Sequence, residues 1–429
     1  MDALLADPQP QPPLRRTSVL RHREFALLFA GQAVSVLGDR LVLVAMPFAV
    51  LSIPGAGLAD VGLVLGASAL SLALFVLVGG VVADRVPRQR TMLASDLVRG
   101  LAQALSAGLL LSGAATVLWL VLLQAVYGAA EAFFRPAVLG LVPQVVEPGE
   151  QQPANALLSL SSNIAMVAGP ALAGLLVATV GSGATLAVDA GTFVVSALTL
   201  RALRPRPVPP SPGAAGFAAQ LAGGWREVRS RSWVWSVLLA FGAYHALVLP
   251  ALFVLGPQYA QDHRGGATAW GVISAGFGVG AVAGSLLSLR WRPARPGLVV
   301  ALATGLSSCQ AAIGVAPFPT WTVALLEAGT GVTVAVAFTV WETALQERIP
   351  ARAQSRVSSF DHLASVVLMP LGFVLVGPVA SGLGVGRTGV AATAGCAAVC
   401  VALIGVPGLR ALRRVVPTSG QGHQVGQGV

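Results

Sequence analysis

The chain contains no lysine: its basic side chains are 27 arginines and five histidines. That absence excludes a Walker A phosphate loop, whose lysine reaches the β- and γ-phosphates, so the chain is not the ATP-hydrolysing part of a pump. Charge of either sign is scarce, at 10% of 429 residues, where a soluble chain carries about 25%. Cysteine is almost missing. Cys309, Cys396 and Cys400 all sit inside apolar runs. Cys396 and Cys400 are one helical turn apart with no histidine or carboxylate nearby, and read as small packing residues rather than a metal or redox pair. His22, His245, His263, His362 and His423 form no cluster and no zinc-protease motif, so no metal site is expected. Residues 1–20 are rich in Pro and Gln and lack an apolar h-region, so no cleavable signal peptide is expected.

What is abundant is apolar. Hydrophobic residues make up 55% of the chain, mean hydropathy is +0.77, and there are 50 glycines. Glycine is frequent in membrane helices because it lets backbones approach closely. Lipid is therefore the expected solvent. Runs long enough to span it fall near 25–51, 58–82, 91–112, 115–139, 155–180 and 183–203, and again near 232–260, 267–289, 297–316, 319–342, 357–380 and 387–409.

The net charge of +10 comes from arginines in short clusters between these runs, a topology signal rather than a nucleic-acid surface. Arg15, Arg16, Arg21 and Arg23 precede the first run, and Arg85, Arg88 and Arg90 join the second and third. The central connection, the 8–9 and 10–11 loops and the C-terminal tail carry most of the others on the same side, leaving Arg264 and Arg387 opposite. The positive-inside rule then places both termini in the cytoplasm of a multi-pass protein of the inner or plasma membrane.

The expected fold is an all-α integral membrane protein of twelve transmembrane helices in two pseudo-symmetric six-helix bundles. Its divisions are an N-terminal tail (1–24), a first bundle (25–203), a linker (204–231), a second bundle (232–409) and a C-terminal tail (410–429). The linker opens with a stiff Pro-rich spacer; residues 217–233 then read as an amphipathic helix with Arg and Trp, suited to anionic lipid headgroups on the cytoplasmic face. Gly169-Pro170 with Gly174 in the fifth run is echoed by Gly377-Pro378 with Gly382 in the eleventh, an internal repeat.

Ionisable groups inside a membrane are costly and are functional candidates by default. Asp39 lies fourteen residues into the first run, about 21 Å at 1.5 Å per residue and so near the midplane. Arg40 points about 100° away from it. Glu327 lies well inside the tenth run, Asp189 in the outer part of the sixth and His245 near the middle of the seventh. Asp39 is the first candidate for a proton or cationic-substrate site and Glu327 the second, each alternatively a buried structural group. Asp96 and Arg99 share one face of the third run and read as an ion pair, and Glu131 with Arg135 as a gate or structural pair.

The segment Gly80-Val-Val-Ala-Asp84-Arg85-Val-Pro87-Arg88-Gln-Arg90 resembles the loop between helices 2 and 3 of the major facilitator superfamily, with Pro87 where that family usually has Gly. The resemblance implies the major facilitator fold and a latch in which Asp84 caps the start of helix 11. Gly169, Pro170 and Gly174 resemble the antiporter signature of proton-driven exporters in that superfamily, with Ala173 replacing a usual Gly. Gln124 stands where such exporters often carry an Arg, four residues before Gly128. With Asp39 in helix 1 and Phe133-Phe134-Arg135-Pro136 in helix 4, the chain looks closest to the macrolide-efflux and enterobactin-exporter branch.

That branch implies a secondary transporter, not an enzyme, exporting small amphipathic molecules in exchange for protons. It would use the proton motive force and no cofactor, with scattered aromatics such as Trp119, Phe133, Tyr244 and Phe338 in an adaptable pocket. A proton-coupled importer of a small nutrient, or a membrane sensor or scaffold, is the alternative. No nucleic-acid partner is expected; the sequence sets no oligomeric state, and a monomer is compatible with it.

Overall fold

Helices that are apolar on every face suit lipid rather than water. A computed structural model describes residues 19–147, 149–206, 225–349 and 367–414, with Val357 and Phe360, and those residues fold almost wholly into such helices. In the first half they are α1 (Arg23–Leu51), α2 (Leu58–Arg85), α3 (Arg88–Leu111) and α4 (Val117–Val145), then the 52-residue run Gln151–Ala202. Gly181, at φ 85° and ψ 164°, breaks that run into α5 (151–180) and α6 (182–202).

The second half has α7 (Ser232–His263), α8 (Ala267–Arg290), α9 (Pro296–Gly314), α10 (Thr320–Arg348), α11 (Met369–Leu383) and α12 (Val385–Ile404). Gly384, at φ 87°, separates α11 from α12 as Gly181 separates α5 from α6. A side chain at either junction would be strained, because L-residues avoid positive φ. The same backbone device thus closes the last junction of each half. Nine described helices are long and apolar enough to cross a membrane, and the 52-residue one is long enough to cross twice. With α3 and α11 the set is consistent with twelve crossings.

Within each half the helices pack on one another, α1 on the α5–α6 run, α2 on α4, and α8 on α10. α1 and α7 are the most enclosed of the long apolar spans and touch each other across the halves. Side chains such as Leu74, Leu198 and Leu289 lie 62–76% exposed on the outer faces, where lipid covers them. α7 carries a π-turn over Tyr244–Val248 ahead of Pro250. Pro250 has no N–H, which frees the Ala246 carbonyl, and Gly372 of α11 lets the backbones close over it.

The halves meet most extensively at two crossings, α5 with α8 and α2 with α11. Both use glycine. A Cβ on Gly174 would fall 2.6 Å from the Ala267 carbonyl oxygen and 2.9 Å from the Gly271 Cα; Gly62 and Gly66 meet Phe373, and Gly377 meets Ala59. These contacts lie away from the Arg-rich loops, so the halves are sealed at that far end. Gly174→Leu is expected to wedge α5 from α8 and shift the population at least about fivefold toward a form open at the far end, since overpacking costs roughly 1–3 kcal/mol. Distances between spin labels placed across that end would report the shift.

The expected helix boundaries agree within about six residues; for the eleventh span, expected at 357–380, Val357 and Phe360 are helical and residues 361–366 lie outside the described residues. Of the amphipathic helix expected at 217–233, only 225–229 is helical among the described residues ahead of α7; residues 207–224 lie outside them.

Candidate functional site

A cavity of about 600 Å³ lies between the halves, with walls from α1, α2, α3, α4, α5, α7 and α11. It shares Gln32, Val36, Val138 and Ser162 with a second hollow that reaches Val142 and Asn155, so the space continues toward the Arg-rich end.

Asp39 stands in the wall of this cavity with its side chain 33% exposed. Gly38 positions it: a side chain there would strike Asp189 and Thr192 of α6, so α1 rides close against α6 and turns Asp39 inward. The Tyr127 hydroxyl of α4 donates to Asp39 Oδ1 at 2.6 Å, and Arg99 of α3 approaches the same oxygen at 3.5 Å. Arg99 is 1% exposed and also binds Asp96 Oδ1 at 2.5 Å, while the Ser196 hydroxyl donates to Asp96 Oδ2 at 2.6 Å. Phe134 and Phe193 close over the guanidinium, their ring centroids 4.2 and 4.5 Å from its carbon. Cation–π contact compensates part of the lost hydration of such a cation.

One guanidinium thus serves two carboxylates. The sequence placed Asp96 and Arg99 together as an ion pair but did not show Arg99 reaching Asp39. Tyr127 was also missed, and Gln124 stood out only as a departure from the exporter pattern. Gln124, Tyr127, Glu131 and Arg135 recur every three or four residues along an apolar helix, a polar stripe that marks the cavity face of α4. Gln124 is buried and donates to Gln103 Oε1 at 3.3 Å, so the position that holds Arg in many exporters joins a neutral amide pair here. Glu131 and Arg135 pair at 2.6 Å in the cavity wall.

The other candidates fall elsewhere. Asp189 is fully buried behind Gly38, hydrogen-bonded to Thr192, and is not in the cavity wall. His245 lies in the π-turn of α7, its Nδ1 2.8 Å from the Phe241 carbonyl, outside that wall. Glu327 is 1% exposed in the second half, accepting from Thr330 at 2.8 Å. Gly169 packs on Arg40 of α1 and Gly174 on α8, with Pro170 between them, so the three span both an intra-half and an inter-half contact. The echo in α11 is partial, for Gly377 meets α2 but Gly382 faces open space.

In the loop between α2 and α3, Arg88 donates to the Gly140 carbonyl, and Gln89 caps the Leu200 and Leu203 carbonyls at 2.6 and 2.8 Å. This ties α3 to α4 and α6 within the first half. Gly79 packs on Ala132, while Arg85 and Arg90 are exposed. The environments of Gly80 and Asp84, and residues 361–366 ahead of α11, lie outside the described residues, and the Asp84 latch with them. Cys396 and Cys400 are buried core residues, and no group of three metal-ligating side chains occurs among the described residues.

Two helical halves about a central cavity, with charges withdrawn from lipid, define a membrane transporter. The sequence profile of the Major Facilitator Superfamily matches residues 28–372, and the chain belongs to that family. It is a multi-pass membrane protein and not an enzyme.

Among curated relatives, it is 29% identical over 421 residues to the multidrug efflux pump Tap of Mycobacterium tuberculosis (strain ATCC 25618 / H37Rv), covering 90% of this chain and 94% of the relative. It is 28% identical over 414 residues to the enterobactin exporter EntS of Salmonella choleraesuis (strain SC-B67), covering 94% and 96%. Among solved structures, the nucleoside transporter NupG superposes with a TM-score of 0.66 at 14% identity, covering 89% and 98%. A bacterial homolog of the human lysosomal transporter Spinster, in an inward-facing and unoccupied conformation, gives 0.63 at 17%, covering 92% and 95%. Both share the fold.

Proposed function

We propose that the chain exports small amphipathic molecules from the cytoplasm in exchange for protons, by alternating access between its two halves. The observation that carries the coupling is the Asp39–Arg99–Asp96 cluster. One guanidinium between two carboxylates leaves one negative charge, which a proton can neutralise, and Asp39 is the member open to the cavity.

The clustered arginines support an orientation with both termini in the cytoplasm, and the cavity then faces inward. Substrate would enter from the cytoplasm or inner leaflet, displace the proton at Asp39, and leave once the far end opens. The two relatives, by name a drug efflux pump and a siderophore exporter, support export.

The test is accumulation of a lipophilic dye such as ethidium in cells with and without the chain. Expressing cells should retain severalfold less dye, and a protonophore should abolish the difference. Higher retention in expressing cells would overturn export.

A further inference from the structure

Beyond the deep end of the cavity lies a smaller chamber of about 130 Å³, bounded by α1 and α5 of one half and by α7, α8, α9 and α10 of the other. Arg40, Leu43 and Phe253 line both spaces, so these side chains stand between them. Trp270 sits at the end of the first turn of α8 and Glu327 in the first third of α10, both away from the Arg-rich loops, which places the chamber toward the sealed side of the molecule.

Three polar atoms in this wall are buried without a hydrogen-bond partner: Glu327 Oε1, Trp270 Nε1 and Arg40 Nε. Glu327 and Trp270 are each only 1% exposed. Thr330 donates to the other Glu327 oxygen at 2.8 Å, and the Gln310 side chain, whose Oε1 accepts from the Tyr244 hydroxyl at 2.5 Å, also interacts with the Glu327 carboxylate. Buried polar groups are nearly always paired, so an unpaired acceptor and two unpaired N–H donors on residues that line one space call for an occupant.

The chemistry of the wall selects that occupant. Arg40 and Glu327 bring opposite charges from opposite halves, so an ammonium or a carboxylate would meet a like charge. A neutral group that donates to Glu327 and accepts from Trp270 meets none. Most of the remaining wall is apolar, including Met166, Pro170 and Phe277. The volume also limits size, since an apolar cavity of about 150 Å³ holds one benzene.

We propose that this chamber is a subsite for a single hydroxyl-bearing aromatic ring at one end of the transported molecule. The hydroxyl donates to Glu327 Oε1 and accepts from Trp270 Nε1, and the ring lies against Phe253 and Phe277. The proposal rests on the cavity being the transport route, because the ring enters past Arg40, Leu43 and Phe253. It does not depend on which ion is coupled.

The test uses the purified full chain in lipid nanodiscs, with 4-fluorophenol and its methyl ether 4-fluoroanisole as probes. Binding is read from fluorine line broadening against empty nanodiscs. Wild-type protein should bind 4-fluorophenol more tightly than the ether, which cannot donate. Trp270→Phe keeps an aromatic ring but removes the N–H, and Glu327→Leu removes the acceptor. Each should weaken 4-fluorophenol about fivefold to tenfold, the worth of one hydrogen bond. Glu327→Leu should leave the ether within about twofold, whereas Trp270→Phe should weaken the ether as well, because its oxygen still accepts from the indole N–H. The binding readout involves no proton exchange, which separates failure of the subsite from failure of the coupling. Equal phenol binding in wild type and both variants, or none beyond empty nanodiscs, would show that the chamber holds only water and would overturn the proposal.

Discussion

Arg99→Met is expected to destabilise the folded protein by about 3–5 kcal/mol, the cost of removing one partner from a buried ion pair. Arg99 is 1% exposed, holds Asp96 at 2.5 Å and Asp39 at 3.5 Å, and is sandwiched by Phe134 and Phe193. Methionine of similar length fills the gap between the rings but leaves two carboxylates without their cation. Lysine restores a charge without the planar fork that reaches both, so Arg99→Lys should recover only part of the loss. Thermal unfolding in detergent, followed by intrinsic fluorescence, checks the order wild type, then Lys, then Met. Equal midpoints for all three would show that the guanidinium does not hold α3 to α1.

Asp39→Asn is expected to separate substrate movement from the proton gradient. Asparagine keeps an oxygen for the Tyr127 hydroxyl, now at 2.6 Å, so the helix contacts survive. It cannot gain and lose a proton. Exchange of labelled for unlabelled substrate across a vesicle membrane should therefore persist, while accumulation driven by a pH difference should fall to the level without one. Each proton exchanged supports about a tenfold concentration ratio per pH unit, because 1.4 kcal/mol is tenfold, so the loss is at least that factor. If the variant still accumulates substrate against a gradient, the proton is carried elsewhere, and Glu131 in the same wall is the next group to replace.

How far the site could be read from the sequence follows from what hydropathy encodes. Length and apolarity locate a membrane helix along the chain. They do not give its rotation, because a helix that is apolar all round has no face to read. Asp39 and Glu327 were legible as charges deep inside runs. That Asp39 meets the cavity while Asp189 hides behind Gly38 depends on how α1 turns against α6, and no periodicity records that. Arg99 shows the same limit, since its partner three residues away is local and its partner on α1 is not. The polar stripe on α4 was the exception, a helical period written in Gln124, Tyr127, Glu131 and Arg135. The unpaired atoms of Arg40, Trp270 and Glu327 come from three helices in two halves, and only the folded chain brings them to one chamber.

Exchange between substrate and proton is the central claim, and one measurement tests it most directly. Purified protein is reconstituted into vesicles containing a pH-sensitive dye, and a substrate gradient is imposed with the membrane potential clamped at zero. The account predicts proton movement opposite to the substrate, in proportion to its flux and absent in Asp39→Asn. Proton movement in the same direction as the substrate, or none while substrate crosses, would contradict it.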